Sequence, residues 1–268
     1  MSERSTAGPL STPSGSRAER IRWVPRQYGA WAILAVPLLL GVAASRPSPW
    51  HLVLAVSAGS AYLASVAALE WARARRTAAL RPAGLFGAVL AVSGAALLVV
   101  EPRLLTIAAL VVAVGGVTLA MSLAGYHKSV FVSLLEIGQA LALVPAAALL
   151  AGDPLGPAVA DAVLAGGLYL VGSVLVVRSL IRERGNRVFA VAALAYHGAV
   201  VAVAWLLLPW PYSVLAVALL ARSAALLVAQ ARWRAGPGGP GRLRPVHIGI
   251  IEILASLALV TLGFTVGF

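Results

Sequence analysis

The 268-residue chain contains no cysteine, and only 11% of its residues are charged. The absence of cysteine excludes disulfide bonds, thiolate chemistry and a sulfur-ligated metal site. A soluble domain would carry about 25% charged residues, whereas 60% of this chain is hydrophobic and its mean hydropathy is +0.92. The composition therefore excludes a soluble globular protein and indicates an integral membrane protein.

Long apolar runs divide the sequence. A bilayer-spanning helix needs roughly 20 apolar residues, and nine windows of about that length predict an all-α, polytopic transmembrane bundle. The first window is short and contains Pro37, which predicts a tilted, broken or partly interfacial helix. The windows cover residues 29–45, 51–70, 83–100, 103–125, 129–151, 160–178, 188–208, 212–231 and 246–266.

Basic residues alternate from loop to loop. Of the 21 Lys and Arg residues, 18 fall in five places, and the intervening loops contain only Arg46 and Arg103. The five places are Arg4–Arg26, Arg73–Arg81, Lys128, Arg178–Arg187 and Arg232–Arg244. The positive-inside rule then predicts a multi-pass cell-membrane protein with a cytoplasmic N-terminus and an extracytoplasmic C-terminus.

The chain reads as one transmembrane domain, residues 23–268, after a disordered basic cytoplasmic tail, residues 1–22. Residues 235–241 predict a flexible linker before the last helix. Trp50, Trp205, Trp210 and Tyr212 predict an outer aromatic belt. The net charge of +12 is spread over several loops, so the expected partners are the membrane, its anionic lipids or an anionic ligand, and not nucleic acid.

A few polar residues interrupt the apolar runs, and each is a candidate for function. Glu136 and Glu252 lie about 9 Å from the basic end of their helices, and His197 and Arg222 about 14 Å. This depth favours a polar pocket open to the cytoplasm, with Gln139 on the same helix face as Glu136. The alternative is a structural salt bridge that joins Arg222 to Glu136 or Glu252.

Four segments at the basic end are more specific than ordinary charged loops. They are residues 25–31, 125–129, 178–187 and 244–252. Lys128 precedes a helix that we expect to begin at Ser129, where free N–H groups favour an anion. Arg178 and Arg182 share a helix face and suit a phosphate group, whereas a solvated basic loop is the alternative. His197 and His247 fit packed or interfacial histidines, and no spacing indicates a metal site.

Together these segments resemble the YwiC-like family of bacterial integral membrane proteins. The resemblance is carried by Arg26 to Trp31 with Pro37, Tyr126 to Lys128, Arg178 to Asn186, and Ile248 to Glu252. It spans nearly the whole chain after the tail. The family usually has His at the position of Tyr28 in this chain, and it implies no settled activity.

A more distant similarity links the chain to the UbiA-type prenyltransferase superfamily, which has nine helices and a site at the cytoplasmic face. Tyr126 and Lys128 match a Tyr and a Lys in the loop after helix 4 of that superfamily. Its two Asp-rich motifs bind diphosphate through Mg²⁺, but this chain has Glu70 to Arg73 and Arg182 to Arg184 at those places. Single Glu residues among arginines cannot hold two cations, so no metal cofactor is expected.

These features predict a protein that binds an anionic lipid or isoprenoid-type amphiphile in a cytoplasmic-facing pocket, whether or not it is an enzyme. One alternative is a proton-coupled secondary transporter that uses Glu136, Glu252 and His197, and another is a non-catalytic scaffold. No cofactor is expected, and the oligomeric state is open. The candidate ligand-binding residues are Arg26, Gln27, Tyr126, Lys128, Glu136, Gln139, Arg178, Arg182, Asn186, His197, Arg222, His247 and Glu252.

Overall fold

The computed structural model describes residue 23 and residues 28–75, 77–235 and 245–268. All regular structure in these ranges is helical, which confirms the predicted class. Eight of the helical segments are long and apolar enough to cross a membrane, and the first is shorter, as its short apolar window predicted. The first helix continues through Pro37, so it is not broken there. The predicted tail and most of the linker lie outside the described residues, as do Arg26 and Gln27.

The helices follow the predicted windows within a few residues. In chain order they are α1 (Tyr28–Ala43), α2 (Trp50–Ala74), α3 (Leu80–Val100), α4 (Leu104–Leu123), α5 (Val130–Leu141), α6 (Leu143–Leu150), α7 (Pro157–Ile181), α8 (Arg187–Leu207), α9 (Trp210–Ala235) and α10 (Pro245–Val266). A short 3₁₀ turn, Thr77–Ala79, leads into α3, and another, Tyr126–Lys128, precedes α5.

Local sequence signals set several helix ends. The Ser129 hydroxyl accepts from the Val132 N–H at 3.1 Å and caps α5. The Asn186 side chain accepts from the Phe189 N–H at 3.1 Å and caps α8, directly after Gly185 with φ +92°. The predicted stop and restart at Gly185–Asn186 and the helix start beside Ser129 are therefore confirmed.

The fifth span is divided at Ala142 into α5 and α6, a break that the apolar window did not predict. Pro145 lies in the first turn of α6, where its missing N–H breaks no helical hydrogen bond. Gly41 of α1 packs directly on this second half. A Cβ at Gly41 would lie 2.8 Å from the Ala147 Cβ and 3.0 Å from the Val144 Cα, so only glycine allows this approach.

The helices differ widely in how much of their surface is covered by protein. In α7, 44% of the apolar window is buried, compared with 6% in α4. The core around α7 includes Val36, Leu40 and Leu170, whereas α3 and α4 expose long apolar side chains such as Val99 and Leu110. The exposed apolar faces fit contact with lipid tails, and α7 is the central helix.

Contacts between loops bring alternate connections together at two ends of the bundle. At one end the Arg46 backbone and side chain donate to Asp153 at 2.7 and 2.8 Å, and Ser48 donates to the Leu150 carbonyl. At the other, which we call the basic end, Arg73 donates to the Ser122 carbonyl and Arg178 to the Lys128 carbonyl. These contacts place the connections α1–α2 and α6–α7 at one end, and α2–α3, α4–α5 and α7–α8 at the other.

The two arginines of the sparse loops are both neutralised by ion pairs. Hydrogen bonds from the Arg46 backbone and side chain lower the pKa of Asp153. Bonds from the Arg103 side chain and backbone lower the pKa of Glu101 to about 2. The ion pairs therefore cancel the charge of both arginines at these loops.

The predicted aromatic belt is partly wrong. Trp205 and Trp210 are exposed, as an interfacial belt requires. Tyr212 is instead buried, stacks on Phe268 and donates its hydroxyl hydrogen to the Gly267 carbonyl at 2.9 Å. The chain end after α10 covers this ring and satisfies its hydroxyl, so Tyr212 joins the core.

Candidate functional site: two polar regions separated by α7

The central helix α7 has polar side chains on opposite faces. At 100° per residue, Tyr169 and Ser173 lie within about 40° of each other, while Arg178 and Arg182 lie roughly 180° to 220° around the helix from Tyr169. The predicted pocket residues follow this division into two regions. We call them the ion-pair cluster (Tyr169, Ser173, Arg222, Glu252 and Ser256) and the basic-end opening (Trp31, Tyr62, Glu136 and Arg182).

Arg222 has the carboxylate partner that its position in an apolar helix predicted. Its Nη1 lies 2.9 Å from Oε1 of Glu252, and both side chains are largely buried, with 16% and 13% of their surface exposed. Of the two carboxylates proposed, Glu252 is therefore the partner. The approach is not aligned for a hydrogen bond, since Nη1, Nε and Oε1 are all buried without a hydrogen-bond partner among the described residues.

Three hydroxyl groups surround the other side of Glu252. Ser173 donates to Oε2 at 2.5 Å, and the Tyr169 hydroxyl lies 3.4 Å from the same oxygen. Tyr169 also contacts the Glu252 carbonyl at 3.0 Å and the Ser256 hydroxyl at 2.8 Å. Oε2 is thus well satisfied while Oε1 depends on Arg222, and the pair joins α7, α9 and α10.

His197 lies at the edge of the ion-pair cluster, on α8. Its ring Nδ1 is 2.9 Å from the Ala193 carbonyl, and only 3% of the residue is exposed. Gly172 of α7 makes room for the ring, because a Cβ there would lie 3.0 Å from Nε2. Arg222 and Glu252 both act electrostatically on His197. It is therefore a packed histidine within the field of the ion pair.

Glu136 occupies an unusual place in α5. It lies between Val132 and Ala140 on one line of the helix, since residues four apart share a face. Those two neighbours are buried, with 1% and 8% exposed, but Glu136 itself is exposed. A carboxylate on the core-facing line that the protein does not cover marks an opening between helices.

Side chains from three other helices border this opening. Tyr62 of α2 and Arg182 at the end of α7 both interact electrostatically with Glu136. The Tyr62 hydroxyl is buried and has no hydrogen-bond partner among the described residues. Trp31 of α1 meets the Tyr62 ring edge-on at 5.6 Å. One carboxylate, one guanidinium and one free hydroxyl therefore face the same space.

Two contacts join the helices around the opening. The Gln139 amide nitrogen donates to the Thr118 hydroxyl at 3.0 Å and links α5 to α4. Arg178 donates to the Lys128 carbonyl at 2.6 Å and lies 3.8 Å from the Glu183 carboxylate. Arg178 therefore fixes the turn before α5 to the end of α7 through Nη1, while its buried Nε has no hydrogen-bond partner among the described residues.

The remaining predicted site residues are spread along the basic end. Tyr126, Lys128 and His247 are exposed, while Arg182 is exposed beside the opening. Asn186 caps α8 and donates to Glu183 at 3.2 Å, so its contacts are local. Glu136 and Glu252, which we expected to line one pocket, lie in separate regions.

Sequence reasoning missed the hydroxyl groups of both regions. Tyr62, Tyr169, Ser173 and Ser256 each lie in an apolar window, where Ser and Tyr are common and carry no signal of their own. A helical projection of α7 would have grouped Tyr169 with Ser173. The interacting positions on other helices require the three-dimensional arrangement.

In the described ranges, no three His, Asp or Glu side chains converge where a metal ion could bind. Residues 24–148 match the protein family described as YwiC-like protein, which covers α1 to most of α6. No curated protein matches the chain, and no solved structure does. The distant UbiA similarity therefore stays a prediction.

Proposed function

Taking the chain as a YwiC-like membrane protein over residues 24–148, we propose that it binds an anionic amphiphile at the basic-end opening. Arg182 and the exposed Lys128 contact the anionic head, and Glu136 with the Tyr62 hydroxyl contacts its hydrogen-bonding groups. The apolar tail lies along the bundle, in line with the lipid chains. This assigns the opening a ligand without assigning a reaction.

The observation that carries the proposal is the exposed position of Glu136 between two buried neighbours on the core-facing line of α5. A carboxylate inside a membrane span is costly unless water or a polar partner reaches it. Arg182 is near enough to act on its charge, and the unpartnered Tyr62 hydroxyl offers a further hydrogen bond. These groups support a polar ligand in the opening.

The charges of the opening favour one type of head group. A bare phosphate beside Glu136 would be repelled, whereas a phosphate that also bears hydroxyl groups can bond to Arg182 and donate to Glu136. Phosphatidylglycerol has both groups, and phosphatidylcholine has no hydroxyl or N–H donor. Arg178 has a supporting role, because its Nη1 already holds the Lys128 carbonyl and its Nη2 faces Glu183.

The experiment compares lipid binding by variants of the purified protein. We expect saturable binding of phosphatidylglycerol over phosphatidylcholine, weakened about tenfold by Arg182→Ala, as loss of one charge-assisted hydrogen bond implies. Arg187→Ala is the matched control, because Arg187 is an exposed arginine at the start of α8, close in sequence to Arg182 and not part of the opening. Protein that retains no anionic lipid, or equal affinity in wild type and Arg182→Ala, contradicts the proposal.

Proton-coupled transport is the second candidate, and the buried Arg222–Glu252 pair favours it. Ionisable groups inside a membrane commonly mark ion and proton pathways. Glu136 lies across α7 from Glu252 and His197, so a relay would use the ion-pair cluster without Glu136. Proton-driven uptake of a transported solute into proton-loaded vesicles should then be lost in Glu252→Gln and kept in Glu136→Gln. Uptake that survives Glu252→Gln excludes this mechanism.

The basic end is proposed to face the cytoplasm, with the N-terminus inside and the C-terminus outside. Support comes from the surplus of Arg and Lys at that end and from the ion pairs that neutralise Arg46 and Arg103 at the other. A reporter enzyme that is active only outside the cytoplasm should work when fused after Phe268. An inactive reporter, with an active one fused at Gly125, would reverse the orientation.

A further inference from the structure

An apolar crevice lies between α7, α8, α9 and α10, on the other side of α7 from Arg182. Small side chains leave the space, namely Ala165, Ala204 and Ala216. Tyr169, Val200, Leu219 and Leu259 are among the residues that line it. The cavity measures about 30 Å³, which is room for two or three water-sized groups. A ligand much larger than this would have to extend out of the crevice.

The ion-pair cluster caps the basic-end side of this crevice. On each of three helices a polar residue lies one turn beyond a lining residue: Arg222 follows Leu219, Ser256 precedes Leu259, and His197 precedes Val200. Tyr169 belongs to both features, since its ring lines the crevice and its hydroxyl contacts Glu252. An apolar slot thus ends on a group of hydrogen-bonding side chains.

The cap has one buried donor outside its ion pair. Nη1 of Arg222 faces Glu252 at 2.9 Å, whereas Nε is buried without a hydrogen-bond partner among the described residues. Leaving a buried charged donor unsatisfied is costly, so an acceptor from outside the protein would be favoured at Nε. This donor indicates the chemistry of a ligand, and the neighbouring crevice gives a route from the bilayer.

The charge of the cap selects a neutral acceptor. Arg222 and Glu252 already neutralise each other at 2.9 Å. A carboxylate or phosphate would leave one uncompensated negative charge in a region of low dielectric, which costs several kcal/mol. A carbonyl oxygen accepts from Arg222 without adding charge. The other polar side chains of the cap add no formal charge that could balance an anion. They are His197, Tyr169, Ser173 and Ser256.

From this arrangement we propose that the crevice between α7 and α10 is a second site, which binds a lipid-soluble molecule with a neutral carbonyl head. The carbonyl accepts from Nε of Arg222, and the apolar remainder passes Ala204 and Ala216 into the bilayer. A quinone with an alkyl tail has this chemistry. The site is distinct from the basic-end opening, which takes an anionic head on the opposite face of α7.

The test uses decyl-1,4-benzoquinone and two comparison probes with a similar alkyl tail. Decanoic acid has an anionic head, and decylbenzene has a neutral ring without a carbonyl. We expect saturable quinone binding by the purified protein that exceeds binding of both other probes. Ala216→Leu, which fills the crevice and leaves the cap intact, should weaken quinone binding at least tenfold. Ala218→Leu on the exposed face of the same helix is the matched control and should leave it unchanged.

A second variant tests the cap without leaving a lone buried charge. The double change Arg222→Met with Glu252→Gln should weaken quinone binding about tenfold, while Arg182→Ala should leave it unchanged. Equal quinone affinity in wild type, Ala216→Leu and the double variant would overturn the proposal. Stronger binding of decanoic acid than of the quinone would also overturn it, because the site would then be one for anions.

Discussion

The two faces of α7 place their carboxylates in opposite situations. Glu252 is enclosed by Arg222, Ser173 and Tyr169, and its surroundings are supplied by the protein. Glu136 is exposed between buried neighbours, and the Tyr62 hydroxyl, with which it interacts electrostatically, has no hydrogen-bond partner among the described residues. Two carboxylates within membrane spans can therefore have different roles. On one face of α7 Glu252 strengthens the packing, and on the other Glu136 leaves a site open.

The largest predicted effect comes from breaking the enclosed pair. Arg222→Met leaves Glu252 as an unpaired buried charge and should lower the free energy of unfolding by about 3–5 kcal/mol. Arg222→Met combined with Glu252→Gln should recover most of this loss, because no buried charge remains. Reversible denaturation in detergent measures both variants. The single variant Glu252→Gln is measured beside them. A loss of unfolding free energy in the double variant that equals the sum of the losses in Arg222→Met and Glu252→Gln would contradict a coupled pair.

Arg178 and Arg182 offer the next contrast, since they are the same residue type on the same face of α7. Arg178→Met removes the bond to the Lys128 carbonyl and should lower the free energy of unfolding by about 1.5–3 kcal/mol. Arg182→Met should change it by no more than about 0.5 kcal/mol, as for an exposed residue. Equal losses would show that Arg178 does not hold the turn before α5.

Substitutions at two glycines compare a closely packed position on α7 with an exposed position on α5. Gly172→Ala would place a Cβ 3.0 Å from the His197 ring and should destabilise the protein by about 1–3 kcal/mol through overpacking. Gly138→Ala in α5 meets nothing within 4 Å and should be neutral or stabilise by up to about 1 kcal/mol, since alanine favours helix. Thermal unfolding of the two variants checks the difference. A destabilising Gly138→Ala would show that the exposed side of α5 is more closely packed than the structure indicates.

The smallest effect concerns the end of the bundle opposite the basic end. Arg46 lowers the pKa of Asp153 in the folded protein, so this pair stabilises the fold above the unfolded pKa of about 3.9. That contribution is lost as the pH falls through the lower folded pKa. The melting temperature of wild type should thus fall slightly more than that of Asp153→Asn between pH 6 and pH 3. Parallel curves would remove Asp153 from the pH dependence.

The sequence predicts the helices well because membrane spans depend on a long apolar run, which is a local property. The charge of Arg222 predicts a carboxylate partner for the same kind of reason, since an unpaired guanidinium in a span is costly. Which of Glu136 and Glu252 fills that role depends on which helices are neighbours. Which helices are neighbours is decided by tertiary packing, and no local sequence pattern shows it.

The division of the polar residues into two regions escaped prediction for a related reason. Depth along each helix follows from residue number, and by depth Glu136 and Glu252 look alike. Their separation depends on the rotation of α5 and α10 and on the position of α7 between them. The break at Ala142 was also missed, because Pro145 lies in an apolar run that reads as one span.

The most direct test of the account uses the absence of native cysteine, which makes any introduced thiol the only one in the protein. A water-soluble thiol reagent is applied to Glu136→Cys, Glu252→Cys and Ser173→Cys, and labelling is followed by mass. Residues 136 and 252 lie at similar depths, so depth does not separate them. We predict rapid labelling at position 136 and slow labelling at positions 252 and 173. Equal rates at all three positions would contradict a bundle that is open on one face of α7 and closed on the other.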